Sequence, residues 1–407
     1  MPTRLLPKLK TLGMVAGEAS GDLLAGLLLH GLRARWPQAR KAGIGGAHMA
    51  AQGFEAWWPV EKLSVRGYLE VLPRLPELLR IRRELARRLI AAPPDLFIGV
   101  DAPDFNLPLE ARLKDAGIPT LHFVSPSFWA WRPEKLARLR AAADHVLCLF
   151  PFEPELLAAA GVPATYVGHP LARELAFDPD PIAARRTLGL KPDAPVLALL
   201  PGSRAAEVKH LAPRFFAAAA ILLRNNPDLQ CVVPAVPHLL PAVRAAVEAS
   251  SLSNELRVVE GQSHAVLAAC DLTLVASGTA TLEAALTGRP MVIAYAMPAL
   301  SYRLMRAKRQ LPWIGLPNIL CAPREWQRRP AGLSPRAWAD RPEAPFIVPE
   351  LVQDAATPEA LARAAQDWLA APRKVAALKQ RFFLLHQQLD CDTAQLTADA
   401  IQTLLAR

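Results

Sequence analysis

Cysteine is scarce in this 407-residue chain and carries no pattern. The five residues, at 148, 231, 270, 321 and 391, include no CxxC pair and leave an odd total. That excludes a disulfide framework and points to reduced, buried thiols in a cytosolic protein. The nine histidines show none of the close pairing that zinc motifs use. Long hydrophobic runs are lacking too. The best, 215–223, is bracketed by Arg214 and Arg224, far short of the roughly 18 apolar residues that span a bilayer. The opening MPTRLLPKLKTLGMVAG briefly imitates an export signal, but Glu18 and Asp22 interrupt it, so export is rejected. Aromatics are only 6% and glycines 21 against 39 prolines. The interior must therefore be built from Ala, Leu and Val, with stiff loops between its elements.

What is present is an alternation of short β-branched runs with Ala/Leu-rich stretches, the signature of βαβ units. Strands are predicted over 12–16, 96–100, 120–124, 145–149, 165–167, 196–200, 230–234, 257–259, 272–275 and 291–295, and helices over 22–35, 75–90 and 207–225. The fold class is α/β: two doubly wound, Rossmann-like domains facing a cleft. A Pro-rich break at 177–182 separates a first domain, 1–178, from a second, 183–375. The last segment, 376–407, reads as helical and is expected to cross back toward the first domain. The charge is +10, which favours a polyanionic partner. With no RNA- or DNA-binding motif, nucleic acid is not expected, and an acidic membrane or phosphorylated substrates remain.

Ligands of doubly wound sheets sit beyond the carboxyl ends of the strands, and the candidate motifs lie there. In the second half, strand 196–200 runs into Pro201-Gly202-Ser203-Arg204. Gly202 allows close backbone approach, Ser203 can cap the following helix, and Arg204 offers a planar fork to phosphate oxygens. The alternative is an ordinary capped turn. Strand 272–275 leads to Ser277-Gly278-Thr279 and a helix bearing Glu283. Small hydroxyl residues and a glycine at a helix start suit a diphosphate, and Glu283 suits ribose hydroxyls, or else simply favours the helix dipole. The DxD pairs Asp178/Asp180 and Asp390/Asp392 lie away from these loops, so neither a metal nor any other cofactor is expected.

In the first half, GEASGD (17–22) carries Glu18, Ser20 and Asp22 but lacks the spacing of a dinucleotide or P-loop turn. GIGG (43–46) fails as such a turn as well. A polar turn that meets sugar hydroxyls fits better, with simple capping the alternative. Strand 96–100 delivers Asp101, fixed by Pro103, as a candidate general base. Strand 120–124 leads into SPSFWAWR, where Ser125, Ser127, Trp129, Trp131 and Arg132 supply hydroxyls, aromatic faces and a cation for a sugar phosphate, with His122 just before. From 62 to 88 there are eight Lys or Arg and three Glu, an excess of five positive charges. Beside them stand Val65, Tyr68, Leu69, Val71, Leu72 and Leu75. Such a segment suits the surface of an anionic membrane; the other reading is an amphipathic helix docked on the core.

The ordered set GEASGD, GIGG, VDAPDFN, FVSPSFWAWRPEK, FPFE, YVGHP, LLPGSRAAEV, SGTATLE and GLPNIL resembles the lipid-A-disaccharide synthases, from about residue 12 to the C-terminal region. The resemblance implies a B-type glycosyltransferase fold. It implies transfer from UDP-2,3-diacylglucosamine to 2,3-diacylglucosamine 1-phosphate at the cytoplasmic face of the inner membrane, by a peripherally bound enzyme. Asp101 falls on the family's candidate base. Gly202, Ser203, Arg204, Ser277, Gly278, Thr279 and Glu283 fall on its nucleotide-side motifs, with Asn318 nearby. The chain departs from the pattern at Arg66 and Ala296, and 322–346, with Trp326, Trp338, five Arg and five Pro, looks inserted. A nucleotide-sugar epimerase or hydrolase on the same scaffold is one alternative, and a non-catalytic membrane-binding protein another.

Overall fold

The computed structural model describes residues 9–63, 68–128, 135–327, 329–330 and 332–406. The chain divides into two compact units, Met1–Arg173 with Gln388–Arg407, and Glu174–Gln387.

The first unit is built on seven strands: β1 (Thr11–Ala16), β2 (Arg40–Gly45), β3 (Glu55–Pro59), β4 (Leu96–Val100), β5 (Thr120–Phe123), β6 (His145–Cys148) and β7 (Ala164–Tyr166). They lie in the order β3-β2-β1-β4-β5-β6-β7, all parallel. Helices α1 (Ala19–Leu32), α2 (Ala47–Ala50), α3 (Tyr68–Ala91), α4 (Pro103–Asp115) and α5 (Leu136–Ala142) are among those that connect them. The second unit has β8 (Val196–Leu200), β9 (Gln230–Ala235), β10 (Leu256–Glu260), β11 (Leu272–Ala276), β12 (Met291–Tyr295) and β13 (Glu350–Val352), in the order β10-β9-β8-β11-β12-β13. It includes α6 (Ala205–Asn225), α7 (Thr279–Leu286) and α8 (Leu316–Leu320). Then come α9 (Pro372–Leu389), which crosses the division between the units, and α10 (Thr393–Leu405) in the first unit.

The central strands LFIGV, VLALL and LTLVA are buried at every position, as parallel strands covered on both faces must be. Phe97 and Phe123 are fully buried, each worth roughly 1.5–3 kcal/mol relative to exposure. Strand order reverses between β1 and β4 in one sheet and between β8 and β11 in the other. These switch points open the crevices that ligands use in doubly wound sheets.

GIGG is not a turn. Gly43 and Gly45 lie within β2, and only Gly46 stands outside, before α2. A Cβ on Gly43 would come 2.0 Å from Met14 O, and its φ is +147°, so the glycine is there for strand packing. Gly43→Ala is expected to destabilise the first unit by roughly 2–6 kcal/mol, from backbone strain plus overpacking. The shift of its urea midpoint is the measurement.

Candidate functional site

In the first unit the C-terminal ends of β1, β4 and β5 carry the predicted acceptor residues. Asp101 follows β4, its amide donating to Phe123 O at 2.9 Å, so the backbone is still held by the sheet when the chain turns. There Asp101 (φ +50°) and Ala102 (φ +45°) are both left-handed, and Val124, just past β5, has φ +77°. A β-branched residue in that region is strained, and strain held at adjacent strand ends marks a site shaped for something other than stability. Gly17 makes the turn possible, since a Cβ there would lie 2.0 Å from Ala102 Cβ. The β1–α1 turn is thereby brought against the Asp101 turn. Ser20 Oγ donates to Glu18 Oε1 at 3.1 Å beside it. Burial pushes the Asp101 carboxyl up, and His122 and the Ala102 amide pull it back down.

Two predicted acceptor contacts are corrected. Asp22 is buried and accepts from Gly46 N (2.7 Å), His48 N (2.9 Å) and Met49 N (3.3 Å). Its carboxylate closes the first turn of α2 and is buried there. His122 is 0% exposed and sits 2.7 Å from Glu110 Oε1, beneath the site and out of reach of a ligand. Ser125 is buried and Ser127 exposed, while Trp129, Trp131 and Arg132 lie outside the described residues.

For the proposed membrane segment, Val65 lies outside the described residues, as do the side chains of Tyr68, Leu69, Val71 and Leu72. Leu75 is 40% exposed, but Ile81, Leu85, Ala86 and Leu89 of α3 are buried in the core of the first unit. The later turns of α3 thus dock on the domain, which is the second of the two readings, with Leu75 and Ile90 left exposed among the described side chains. No described helix is long and apolar enough to cross a membrane.

In the second unit the nucleotide motifs follow β8 and β11, the strands on either side of the switch point. Ser203 does not cap α6. Arg204 occupies the N-cap position without a side-chain cap, and Glu207 reaches back to accept from Ser203 N at 3.0 Å and from Arg204 Nη1 at 2.7 Å. Gly202 admits that carboxylate, which a Cβ would approach at 2.5 Å. Glu207 thus braces the guanidinium of a side chain that stays 43% exposed, with donors left over for a ligand. After β11, Ser277 Oγ donates to Ile314 O at 2.8 Å and Thr281 Oγ1 to Gly278 O at 2.8 Å. Gly278 and Thr279 are exposed, at the end of α7 where amides lack intrahelical partners.

Glu283 brings in a residue that the sequence reading missed. His264 Nε2 lies 3.3 Å from Glu283 Oε2, and the hydrogen bond to Glu283 raises the histidine above its ordinary value against the opposing effect of burial. The only signal was position, a histidine three residues after the glycine that follows β10. Asn318 is a correction. Its amide donates to Val348 O (2.9 Å) and Glu350 Oε1 (2.8 Å) and accepts from Ile347 N (2.8 Å) and Val348 N (3.1 Å). All four positions of the amide are used, and at 1% exposure nothing remains for a nucleotide. Glu350 also accepts from Ile314 N and Gly315 N, and burial raises its carboxyl to about 7. The DxD carboxylates have other partners. Asp178 pairs with Lys379 and Arg289, Asp180 caps a helix, and Asp390 and Asp392 meet Arg173.

A family model described as lipid-A-disaccharide synthetase matches residues 12–326, more than half of the chain. The chain belongs to the lipid-A-disaccharide synthase family. The lipid-A-disaccharide synthase of Verminephrobacter eiseniae is 55% identical over 97% of this chain and 97% of its own. That of Albidiferax ferrireducens is 54% identical over 96% of each. Among solved structures, a putative UDP-N-acetylglucosamine 2-epimerase from Listeria monocytogenes matches with a TM-score of 0.60 at 15% identity, covering 96% and 94% of the two chains. The glycosyltransferase of kitacinnamycin matches at 0.56 and 17%, covering 98% and 100%. At such identities these two share the fold with this synthase-family member and no more, so the epimerase alternative gains nothing from them.

Two departures from the synthase pattern have local explanations. Ala296 is buried and presents no group to a phosphate. In 322–346, Trp338 is buried and stacks on Trp326 at 4.8 Å, with Arg341 against both rings. Asp340 there ties Arg306 and Arg309. The segment of this family member is therefore an aromatic cluster packed on the second unit.

Proposed function

We propose that the chain transfers a 2,3-diacylglucosaminyl group from UDP to the 6-hydroxyl of 2,3-diacylglucosamine 1-phosphate, giving the β-1,6-linked disaccharide 1-phosphate and UDP. Family membership supports the reaction class. The observation that carries the mechanism is Asp101, held in a left-handed turn at the switch point of the first sheet. As general base it takes the proton of the acceptor hydroxyl. The oxygen attacks the anomeric carbon, the bond to the diphosphate oxygen breaks on the opposite face, and the configuration inverts. On the nucleotide side, Arg204 and the amides at the starts of α6 and α7 offset the charge that develops on the leaving diphosphate. The Ser203 hydroxyl and the exposed Gly278 and Thr279 contribute donors, Ser277 fixes the turn through its bond to Ile314 O, and Glu283 accepts from the ribose.

The acceptor is a lipid, so the enzyme works at a membrane surface. The basic, initially apolar stretch around α3 is our candidate for peripheral contact, at the cytoplasmic face of the inner membrane.

The test is disaccharide formation by purified protein in detergent micelles from UDP-2,3-diacylglucosamine and the acylated sugar phosphate. Loss of UDP-sugar without disaccharide would send the assignment to a hydrolase or epimerase. Arg204→Ala is expected to weaken UDP binding roughly tenfold to a hundredfold, the worth of one or two charge-assisted hydrogen bonds, as read by calorimetry.

A further inference from the structure

Beneath Asp101 lies a pair of ionisable side chains that the scheme above does not use. His122 on β5 stands in register with Gly99 on β4, two residues before Asp101. Its Nδ1 is 2.7 Å from Glu110 Oε1 on α4, and both side chains are 0% exposed. Gly99 exists to admit the carboxylate, because a Cβ there would come 1.9 Å from Glu110 Oε1. An apolar pair of similar volume would be as stable or more so in a domain core, so packing gives no reason for this one.

The pair is also incompletely satisfied. His122 Nε2 and Glu110 Oε2 are buried without a hydrogen-bond partner among the described residues, and so are Asn106 Oδ1 and Ser125 Oγ. Asn106 meanwhile donates to the carbonyl of Asp101 at 2.8 Å. Unpaired polar atoms concentrated behind one strand end are costly and gather where the chemistry is assigned.

We propose that Glu110 and His122 are positioning residues for Asp101, the carboxylate fixing the imidazole behind the strand end that presents the base to the acceptor hydroxyl. The inference rests on the reaction proposed above. No covalent change occurs in the pair: the hydroxyl proton goes to Asp101, and UDP leaves with the electron pair of the broken bond. Burial drives the Asp101 carboxyl toward its neutral form, and His122 is the side chain that opposes this. Among the described residues, several other ionisable groups on the surrounding elements are otherwise engaged. Asp104 on α4 is 87% exposed and paired with Lys135, and Asp22 on α1 is held by three amides. Glu18 bonds Ser20. On β6, His145 bonds Thr165, and burial keeps Cys148 protonated.

The sign follows. Without His122, which opposes the effect of burial on Asp101, the carboxyl ionises only at higher pH, so the acid limb of kcat/KM moves up. His122→Asn keeps a donor for Glu110 while removing the imidazole. It is expected to move that limb up by about one unit or more, with activity recovering to within a few-fold on the alkaline side and the UDP Kd unchanged. Glu110→Gln, which keeps an acceptor for Nδ1, is expected to move it the same way by less, and it serves if His122→Asn does not fold. An acid limb that stays in place in a folded variant, with only rate or thermal stability reduced, assigns the pair a structural role and overturns the inference alone. Wild-type protein that forms no disaccharide overturns the reaction, and the inference with it.

Discussion

Asp101→Asn is expected to lower kcat for disaccharide formation by roughly 10²- to 10⁴-fold, the usual worth of a general base, while UDP binds as tightly as to the wild type. Asparagine is the informative choice because the position has φ +50°. Asn adopts the left-handed region nearly as readily as Asp, whereas other side chains are strained there. The amide keeps its bond to Phe123 O and the carbonyl keeps its bond to Asn106, so the turn survives and only the ionisable oxygen is lost. Micelle assays give the rate and calorimetry gives the UDP affinity. A variant that retains a tenth or more of wild-type activity would remove Asp101 from the role of base.

Asn318→Ala is expected to destabilise the second unit by roughly 3–5 kcal/mol. The substitution deletes four hydrogen bonds and strands two amides, a carbonyl and one oxygen of Glu350, in a place that water reaches poorly. Each such bond is worth about 1 kcal/mol net, and each orphaned buried group costs about 1–3. Glu350 aggravates the loss at high pH. Its folded value near 7 lies above that of an unfolded glutamate. Its contribution to stability is therefore fully present at low pH and declines as pH rises through 7, more steeply without the Asn318 amide to hold the ion. Urea unfolding at pH 5.5 and 8 measures both effects. Unchanged stability with weakened UDP binding would return Asn318 to the nucleotide site.

The central strands could be read from the sequence because LFIGV, VLALL and MVIAY are apolar runs that only a sheet covered on both faces accommodates. β2, β3 and β13 could not. β2 reads RKAGIG, its glycines mimicking a turn. β3 is a half-exposed edge strand carrying two tryptophans, and β13 has three residues. The placement of Asp101 at a strand end was legible because β4 and a proline fix it locally. Asp22 and Asn318 look like ligand residues until their partners, 24 to 32 residues away, are seen to use them up. Glu110 fails in the opposite direction. Among LEARLKD on a helix it passes for a solvated charge, and only the fold puts it against His122.

The return of Gln388–Arg407 to the first unit has a consequence for the order in which the molecule is made. Gly31 of α1 is packed against Ala394 of α10, Arg35 reaches Gln402 at 2.6 Å, and His169 N and the Tyr166 hydroxyl both bond to backbone carbonyls at 388–389. Domains generally acquire structure as they leave the ribosome, the N-terminal one first. Here the unit synthesised first is the last to be completed. While the second unit is already whole, α1 waits with its packing surface open for a helix that follows the whole of that unit in the chain, and through this interval the nascent protein is exposed to chaperones and proteases.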